Sequence, residues 1–192
     1  MRLKEIFAKV VNNKFVQKIK EKTIDPVRRS YLTWRMLEAC DLSVFEDVPE
    51  LLEKGADLHA AEDMALAQAS RGCLSLVKLL VEKGANVRSA GDRPLRTAAS
   101  HGQLSIVKYL HEQGANLNVG DGEALMFAAR HGHPSVVRYL VENGVTITST
   151  EDWPYRSAVN NNHEDVVHYF DRVLEKQSLA QNKTQKPRAP KR

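Results

Sequence analysis

The chain has 192 residues, of which 42% are hydrophobic, enough for one globular domain and a polar tail. The net charge of +4 is unevenly spread: residues 1–30 hold nine basic and three acidic residues, residues 176–192 hold six basic residues and no acidic one, and residues 31–175 hold 13 basic and 21 acidic ones. The basic character therefore belongs to the two ends, which argues against nucleic-acid binding by the folded body.

The expected cellular compartment follows from the membrane, secretion and disulfide signals that the sequence lacks. No apolar run approaches the roughly 18 residues of a membrane-spanning helix, so we expect no membrane span. The N-terminus scatters lysines among its apolar residues and has no small-residue cleavage site, unlike a secretory signal. The only two cysteines, Cys40 and Cys73, are typical of reduced thiols. We expect a cytoplasmic location, with nuclear import through the basic C-terminal tail as an alternative.

Residues 3–15 predict an amphipathic helix, interrupted by Lys14, with a single apolar stripe formed by Leu3, Ile6, Phe7, Val10, Val11 and Phe15. Pro26 and the run to Ser30 mark its junction with the following region. We expect this helix, within an N-terminal segment 1–30, to cover the open end of the first repeat. A peripheral membrane helix or a partner-binding helix are the alternatives.

The region from 31 to 175 repeats itself. One motif occurs as EKGADLH at 53–59, EKGANVR at 82–88, EQGANLN at 112–118 and ENGVTIT at 142–148. Its glycines, 29 or 30 residues apart, are Gly55, Gly84, Gly114 and Gly144, and a second series with a period of 30 comprises Gly72, Gly102 and Gly132. Each unit therefore predicts a helix, a turn, a second helix and a second turn.

Within a unit, small and apolar residues share one face of each helix. Leu95, Ala98 and Ala99 lie together on the first helix, as do Leu125, Ala128 and Ala129 in the next unit. The second helix buries Ile106, Val107 and Leu110, and then Val136, Val137 and Leu140. Glycine ends each helix because it adopts a left-handed conformation without a Cβ penalty. One helix pair cannot bury its own apolar face, so the units should stack into a solenoid.

The array has irregular ends. The first unit has Ser43 where later units have glycine, and the last has Asn162 there, a residue that tolerates the left-handed region. We place the repeats at about 32–59, 60–89, 90–119, 120–149 and 150–174. Residues 176–192 have no apolar stripe and predict a disordered basic tail. KPRAPKR within it matches a nuclear-import tag, a polyanion contact or a P-x-x-P ligand (Pro187, Pro190). The alternative is a solvated tail that no partner recognises.

Two segments of the chain resemble a known family of repeats. RPLRTAASHGQLSIVKYLHEQGAN at 93–116 and EALMFAARHGHPSVVRYLVENG at 123–144 resemble the ankyrin repeat, and the likeness covers residues 32 to 172. It implies an all-α ankyrin-repeat solenoid of about five helix-turn-helix units. The period of 30, against the family's usual 33, implies shorter connecting fingers and is similar to arrays of giant viruses and intracellular bacteria.

Two further departures from the family pattern matter. The Thr and His that share a hydrogen bond in the family are replaced in each unit, by Arg93 and Arg96, Glu123 and Met126, or Trp153 and Arg156. The segment from Gly55 to Gly72 is also one residue shorter than in later units, so we expect the second unit to be locally irregular.

The sequence contains no evident reaction chemistry. His131 and His133, in RHGH, raise the question of a metal site, but the repeat pattern accounts for both, and no set of three or four ligands converges. Every glycine belongs to a cap or a turn, so none forms a phosphate loop. Carboxylate pairs such as Glu62–Asp63 and Glu151–Asp152 recur at equivalent positions and look architectural. We predict no catalytic residue, no metal, no cofactor and no enzyme activity.

Positions that vary between units are the candidate functional residues. The resemblance implies a concave strip of fingers and first helices, whose predicted partner-binding residues are Arg93, Arg96, Thr97, His101, Glu123, Met126, Phe127, Arg130, His131, Trp153 and Arg156. Aromatic residues flanked by arginines have the composition of an interface hot spot. The alternative for Trp153 is packing within the C-terminal cap, and Phe127 could tuck against Met126.

These observations favour a monomeric, non-enzymatic protein–protein interaction module, an adaptor or inhibitor that the short period suggests is viral or bacterial. One alternative is a nucleic-acid-associated protein that contacts polyanions through its basic arms, residues 1–30 and 176–192. A third hypothesis is that the acidic body imitates a polyanion; its charge is spread through all repeats rather than concentrated in one column.

Overall fold

The computed structural model describes residues 14–42 and 46–184, which form ten α-helices and no β-strand, so the predicted all-α repeat fold is confirmed. No helix in these two stretches is long and apolar enough to cross a membrane. The helices are α1 (Lys14–Asp41), α2 (Asp47–Glu53), α3 (Ala60–Ala69), α4 (Leu74–Glu82), α5 (Ser89–Ser100), α6 (Leu104–Glu112), α7 (Val119–Arg130), α8 (Pro134–Glu142), α9 (Trp153–Asn160) and α10 (Glu164–Thr184).

The N-terminal helix differs from its prediction. The amphipathic segment predicted at 3–15 lies outside the described residues, apart from its last two positions, where α1 begins. The helix continues through Pro26, where we expected a junction, and reaches Asp41 in the first repeat. An interior proline costs a helix about 3 kcal/mol. Buried side chains in the C-terminal half of α1, such as Leu32 and Met36, hold this helix in place despite that cost.

The chain divides into two compact units, residues 1–65 and residues 66–192, and the boundary falls inside α3. In the first unit α1 packs against α2, and Met36, Cys40 and Val48 are fully buried. The backbone N–H of Asp57 donates to the hydroxyl of Thr33 at 2.8 Å, which ties the loop after α2 to α1. The first repeat is thus built on the C-terminal half of α1.

The second unit is a stack of helix pairs. The first helices α5, α7 and α9 pack side by side, the second helices α4, α6, α8 and α10 do the same, and each first helix packs on its own second helix. Every residue predicted for the core of these repeats is fully buried: Leu95, Ala98, Ala99, Ile106, Val107, Leu110, Leu125, Ala128, Ala129, Val136, Val137 and Leu140. Alanines on facing first helices allow them to approach closely.

The turn inside each repeat closes over the turn of the repeat before it. Gly102 (φ +68°) and Gly132 (φ +70°) are left-handed, and Asn162 (φ +57°) replaces glycine in the last repeat, as predicted. Gly72 does not have a positive φ, and its turn, residues 70–73, is one residue longer than the equivalent turns at 101–103 and 131–133. The predicted irregularity of the second unit is therefore confirmed.

An imidazole of the following repeat covers Gly102 and another covers Gly132. His133 Nε2–H donates to the carbonyl of Ser100 at 2.9 Å, and its ring lies where a Cβ on Gly102 would come within 2.6 Å of Nδ1. His163 donates in the same way to the carbonyl of Arg130 at 2.9 Å and covers Gly132. Glycine is therefore required here both by its backbone conformation and by the close approach of the next repeat.

The short period is achieved by left-handed turns at the start of the first helices. Three consecutive residues have positive φ in each, at 61–63, 90–92 and 120–122. The carboxylate of Asp92, which is only 2% exposed, accepts the backbone N–H of Asn116, after the second helix of the same repeat, at 3.0 Å. This hydrogen bond therefore joins the turn that begins α5 to the turn that follows α6.

The following repeat, 120–149, has a different contact at the equivalent place. Gly122 stands where Asp92 stands one repeat earlier, and a Cβ on Gly122 would lie 3.3 Å from Val145 Cγ1. Val145 in turn replaces Ala115. The loss of the carboxylate and the gain of a larger apolar side chain occur together, so an apolar contact takes the place of the hydrogen bond.

The C-terminal helix is longer than predicted. α10 reaches Thr184, so residues 176–184, which we predicted as the start of a disordered tail, are helical. Leu, Ala, Gln and Lys in this stretch are good helix formers even without an apolar stripe. Residues 185–192, with the KPRAPKR motif, lie outside the described residues.

We expect Gly132→Ala to lower the free energy of unfolding by about 3 kcal/mol, combining about 1–2 kcal/mol for a left-handed alanine with about 1–3 kcal/mol for the collision with His163. Gly144→Ala is the matched control, because Gly144 has φ +95° but nothing within 4 Å of its added Cβ. Urea denaturation measures both. Equal losses from the two substitutions would show that the imidazole places no steric constraint on Gly132.

Candidate functional site

The first helices of the second unit position the predicted functional residues. The helices α5 and α7 bury their Leu-Ala-Ala face, and α9 buries Ala158 at the equivalent place, so the predicted functional residues lie on the other faces of these helices. We call the eleven predicted residues on α5, α7, α9 and their following turns the first-helix strip. The exposed members are Arg93, His101, Arg130, His131, Trp153 and Arg156, and the half-buried ones are Arg96, Thr97, Glu123, Met126 and Phe127.

Two strip residues bind each other rather than standing free. The guanidinium of Arg96 forms an ion pair with Glu123 of the next repeat, and it donates a second hydrogen bond to the carbonyl of Ala90 at 3.0 Å. Their side chains are only 26% and 37% exposed, respectively. This ion pair joins residues of two neighbouring repeats and so helps to hold them together. Arg96 and Glu123 are therefore linkers between repeats more than available anchors.

The remaining arginines are unengaged. The guanidinium groups of Arg93, Arg130 and Arg156 have no intramolecular partner among the described residues, and all three side chains are exposed. They come from three successive repeats whose first helices pack side by side. After the Arg96–Glu123 pair cancels its own charge, these arginines give the strip a positive character within a body that is acidic overall.

The strip histidines stabilise turns. Nδ1 of His101 lies 2.9 Å from the carbonyl of Thr97, and Nδ1 of His131 lies 2.9 Å from the carbonyl of Phe127 and 3.3 Å from the hydroxyl of Ser100. His131 and His133 stack with ring centroids 6.3 Å apart. Residues 14–42 and 46–184 contain no group of three His, Cys, Asp or Glu side chains that could hold a metal ion.

Trp153 is the most exposed large apolar side chain of the described residues, at 75%. The packing within the C-terminal cap that we considered for it is not observed. Phe127, by contrast, is half-buried, in agreement with the alternative in which it tucks against its neighbours. Trp153 opens α9 and is followed by Pro154, which fixes φ at the helix start.

A tightly bonded loop holds Trp153 in place. Thr148 donates to Asp152 from its backbone N–H at 2.6 Å, and Ser149 donates from its backbone N–H at 3.2 Å and its hydroxyl at 3.0 Å. These donors, the Thr148 backbone first among them, lower the pKa of the Asp152 carboxyl although partial burial opposes them. The carboxylate therefore stays ionised and the loop stays closed at neutral pH. Asp152 has the architectural role that we predicted for these pairs.

Sequence reasoning missed a second exposed tryptophan. Trp34 in the first unit is 57% exposed and packs near Tyr31, itself 56% exposed, with ring centroids 6.3 Å apart. It occupies the first-repeat equivalent of the column that contains Arg93, Glu123 and Trp153. Extending the column alignment to the degenerate first repeat would have found it.

The second helices carry a contrasting, regular pattern. Basic side chains lie over tyrosine rings of the following repeat, Lys78 over Tyr109 at 5.7 Å, Lys108 over Tyr139 at 5.5 Å and Arg138 over Tyr169 at 5.7 Å. Burial raises the pKa of each tyrosine. Such cation–π contacts contribute about 0.5–1 kcal/mol each at exposed sites. Because the same contact recurs at each step, this face serves the stacking of the repeats.

Two family models match the chain. A model described as ankyrin repeats in three copies matches residues 36–121, and a model described as ankyrin repeats in many copies matches residues 110–159. Together they span residues 36–159, which includes all of the first-helix strip. No curated protein matches the sequence.

We expect Asp152→Asn to lower the free energy of unfolding at pH 7 by about 1–2 kcal/mol, because charge-assisted hydrogen bonds in the loop are weakened. The folded-state pKa of Asp152 is depressed, so its contribution is complete above the unfolded pKa of about 3.9 and disappears as the pH falls through the folded value. Urea denaturation at pH 7, 5 and 3.5 should show a constant difference above pH 5 that shrinks at pH 3.5.

Glu151→Gln is the matched control, since the exposed Glu151 carboxylate has no intramolecular partner among the described residues. It should change stability by less than about 0.5 kcal/mol at every pH. A difference between wild type and Asp152→Asn that stays the same at pH 3.5 would contradict the role assigned to the carboxylate.

Proposed function

The chain belongs to the ankyrin-repeat family, and on that premise we propose that it is a non-enzymatic adaptor or inhibitor that binds a protein partner on the first-helix strip. Ankyrin repeats generally mediate protein–protein interaction. The observation that carries the proposal is Trp153, 75% exposed on a closed loop beside arginines that have no intramolecular partner. Tryptophan and arginine are the residues most enriched among interface hot spots.

The energetics favour this side of the second unit. A fully exposed tryptophan gains several kcal/mol when a partner buries it, and aromatic rings lose little conformational entropy on binding. The hydrogen bonds of Asp152 fix the loop that carries Trp153 before any partner arrives. Pre-organisation of this kind lowers the entropic cost of association.

The contrast between the two helix faces supports the same assignment. On the second helices, Lys78, Lys108 and Arg138 are each engaged by a tyrosine of the following repeat. The first helices carry Arg93, Arg130 and Arg156 at three different positions of the repeat, and the residue type at each position changes from one repeat to the next. These arginines have no such partner. Unsatisfied and irregular side chains are available for recognition, whereas repeated and engaged ones maintain the fold.

The residues then have distinct roles. Trp153 is the anchor that a partner desolvates, with the half-buried Phe127 and Met126 extending the apolar contact. Arg93, Arg130 and Arg156 would pair with carboxylates or carbonyls of the partner, and bidentate geometry would fix its register. The Arg96–Glu123 pair keeps the spacing between repeats and so acts through its neighbours. Binding would occlude or scaffold the partner without chemical change.

The basic arms support no second proposal. The side chains of residues 1–25 and 182–192 lie outside the described part of the structure, so polyanion binding through them stays a prediction. It requires an affinity that falls steeply with salt and depends on the ends of the chain. Capture of nucleic acid that deletion of residues 185–192 abolishes would favour it over the strip.

We expect affinity capture from the native cell to retrieve a protein partner with wild type and not with the triple variant Phe127→Ala/Arg130→Ala/Trp153→Ala. Truncation of hot-spot residues typically costs about 2 kcal/mol or more each, so retention should fall at least about 30-fold. Quantitative mass spectrometry of the bound fraction measures the loss.

The matched control is Ser105→Ala/Glu112→Ala/Gln113→Ala, three exposed positions on and after the second helix α6. This variant should retrieve the partner as wild type does. Both variants should melt close to wild type by circular dichroism, which separates lost binding from lost folding. Equal retrieval by wild type and the strip variant would refute the strip as the binding surface.

A further inference from the structure

A cleft opens beside Trp153, at the turn that leads into α9. It has a volume of about 340 Å³, which is at the lower end of the range for small-ligand pockets. Its lining combines the apolar Leu125, Trp153 and Pro154 with the carboxylates of Asp121, Glu151 and Asp152, and Thr146 and Thr148 complete it. No lysine or arginine is among the described residues that line it. The cleft is therefore an aromatic and acidic site without a counter-charge of its own.

The three carboxylates of the cleft differ in whether they have a hydrogen-bond partner within the protein. Asp152 is held by Thr148 and Ser149, so its charge is fixed in the wall of the cleft. The Asp121 and Glu151 side chains are exposed, and neither has an intramolecular partner in the described part of the chain. The start of α9 contributes a partial positive charge of about half a unit at most, which three carboxylates outweigh.

We propose that this cleft receives an arginine side chain of the protein partner, with the guanidinium stacked on the indole of Trp153 and paired with the carboxylates of Asp121 and Glu151. This inference rests on the proposed function and names the chemistry that the partner presents at one end of the first-helix strip. The guanidinium is planar, weakly hydrated and always charged, so it can stack on a ring and donate hydrogen bonds to a carboxylate at the same time. A lysine ammonium is more strongly hydrated and cannot stack in this way.

Other occupants fit the cleft less well. A phosphate or carboxylate would be repelled by three like charges. A purely apolar side chain would remove water from Asp121 and Glu151 without giving them a partner, which is unfavourable. A metal ion would need converging ligands, and residues 14–42 and 46–184 contain no such group. A cationic, flat side chain satisfies the indole and the carboxylates together.

The two tryptophans of the chain make the test specific. Trp34 and Trp153 are its only indoles, so a ¹⁵N-labelled full-length protein gives two indole N–H signals, one at the cleft and one in the first unit. The probe is the peptide acetyl-Gly-Arg-Gly-amide, and the control peptide replaces arginine by citrulline, its neutral isostere. Titration of each peptide is followed by ¹⁵N–¹H correlation spectra at low and at high salt.

We expect the arginine peptide to shift the Trp153 signal in a saturable manner with a millimolar dissociation constant, and to leave the Trp34 signal unchanged. The citrulline peptide should bind at least about fivefold more weakly, because it lacks the charge that both the indole and the carboxylates attract. Added salt should weaken the binding of the arginine peptide.

The double variant Asp121→Asn/Glu151→Gln separates the carboxylates from the indole. Both side chains are exposed, so folding is preserved, and affinity for the arginine peptide should fall at least about fivefold. Equal affinity for the arginine and citrulline peptides, or no shift of Trp153, would overturn the inference. If that happens while the strip variant still loses the captured partner, the cleft assignment fails and the proposed function stands.

Discussion

The contact between an imidazole of one repeat and the glycine turn of the repeat before it limits how closely the last three repeats can stack. His133 and His163 each donate to a backbone carbonyl at 2.9 Å, and each ring occupies the space where a side chain would otherwise be. The first helices can approach only as closely as this contact allows. Their separation fixes the distances between Arg93, Arg130 and Trp153, so a structural contact determines the spacing of the candidate recognition residues.

A second constraint comes from the length of the repeat. With 30 residues per unit, the chain must reverse direction in few residues, and it does so through three left-handed residues in succession. Alanine and glutamate adopt this conformation at a cost of about 1–2 kcal/mol per residue. The hydrogen bond that the Asp92 carboxylate accepts from the backbone N–H of Asn116 offsets part of this cost in one turn. In the last repeat the turn before α9 lacks this left-handed run, and Asp152 has an extended backbone. Its carboxylate accepts a hydrogen bond within its own loop and so fixes Trp153. The loop that carries Trp153, at the end of the array, is thus fixed by its own hydrogen bonds.

Sequence reasoning reached the architecture because repetition averages out local ambiguity. The positions of Leu95, Ile106 and Asn162 all follow from alignment of the units, and the structure confirms them. The left-handed turns were not predictable, because they place alanine against its intrinsic preference, and tertiary packing decides that outcome. The Arg96–Glu123 pair was missed for another reason: a column alignment compares equivalent residues, whereas this pair joins different columns of adjacent repeats. The continuation of α1 through Pro26 was not predicted, because the proline was taken to end the helix without regard to the packing of the residues on either side.

The charges around Trp153 restrict what a partner can be. Arg130 and Arg156 lie on the strip, while Asp121 and Glu151 lie at the adjacent cleft, so opposite fields meet at one exposed indole. A partner of uniform charge would gain on one side and lose on the other, which disfavours both a nucleic-acid backbone and a wholly basic peptide. A partner that offers a basic side chain to the cleft and acidic groups to the strip is matched in one orientation only, because turning it by half a revolution brings like charges together. Specificity would therefore come from the arrangement of a few charges about Trp153 rather than from the area of the strip.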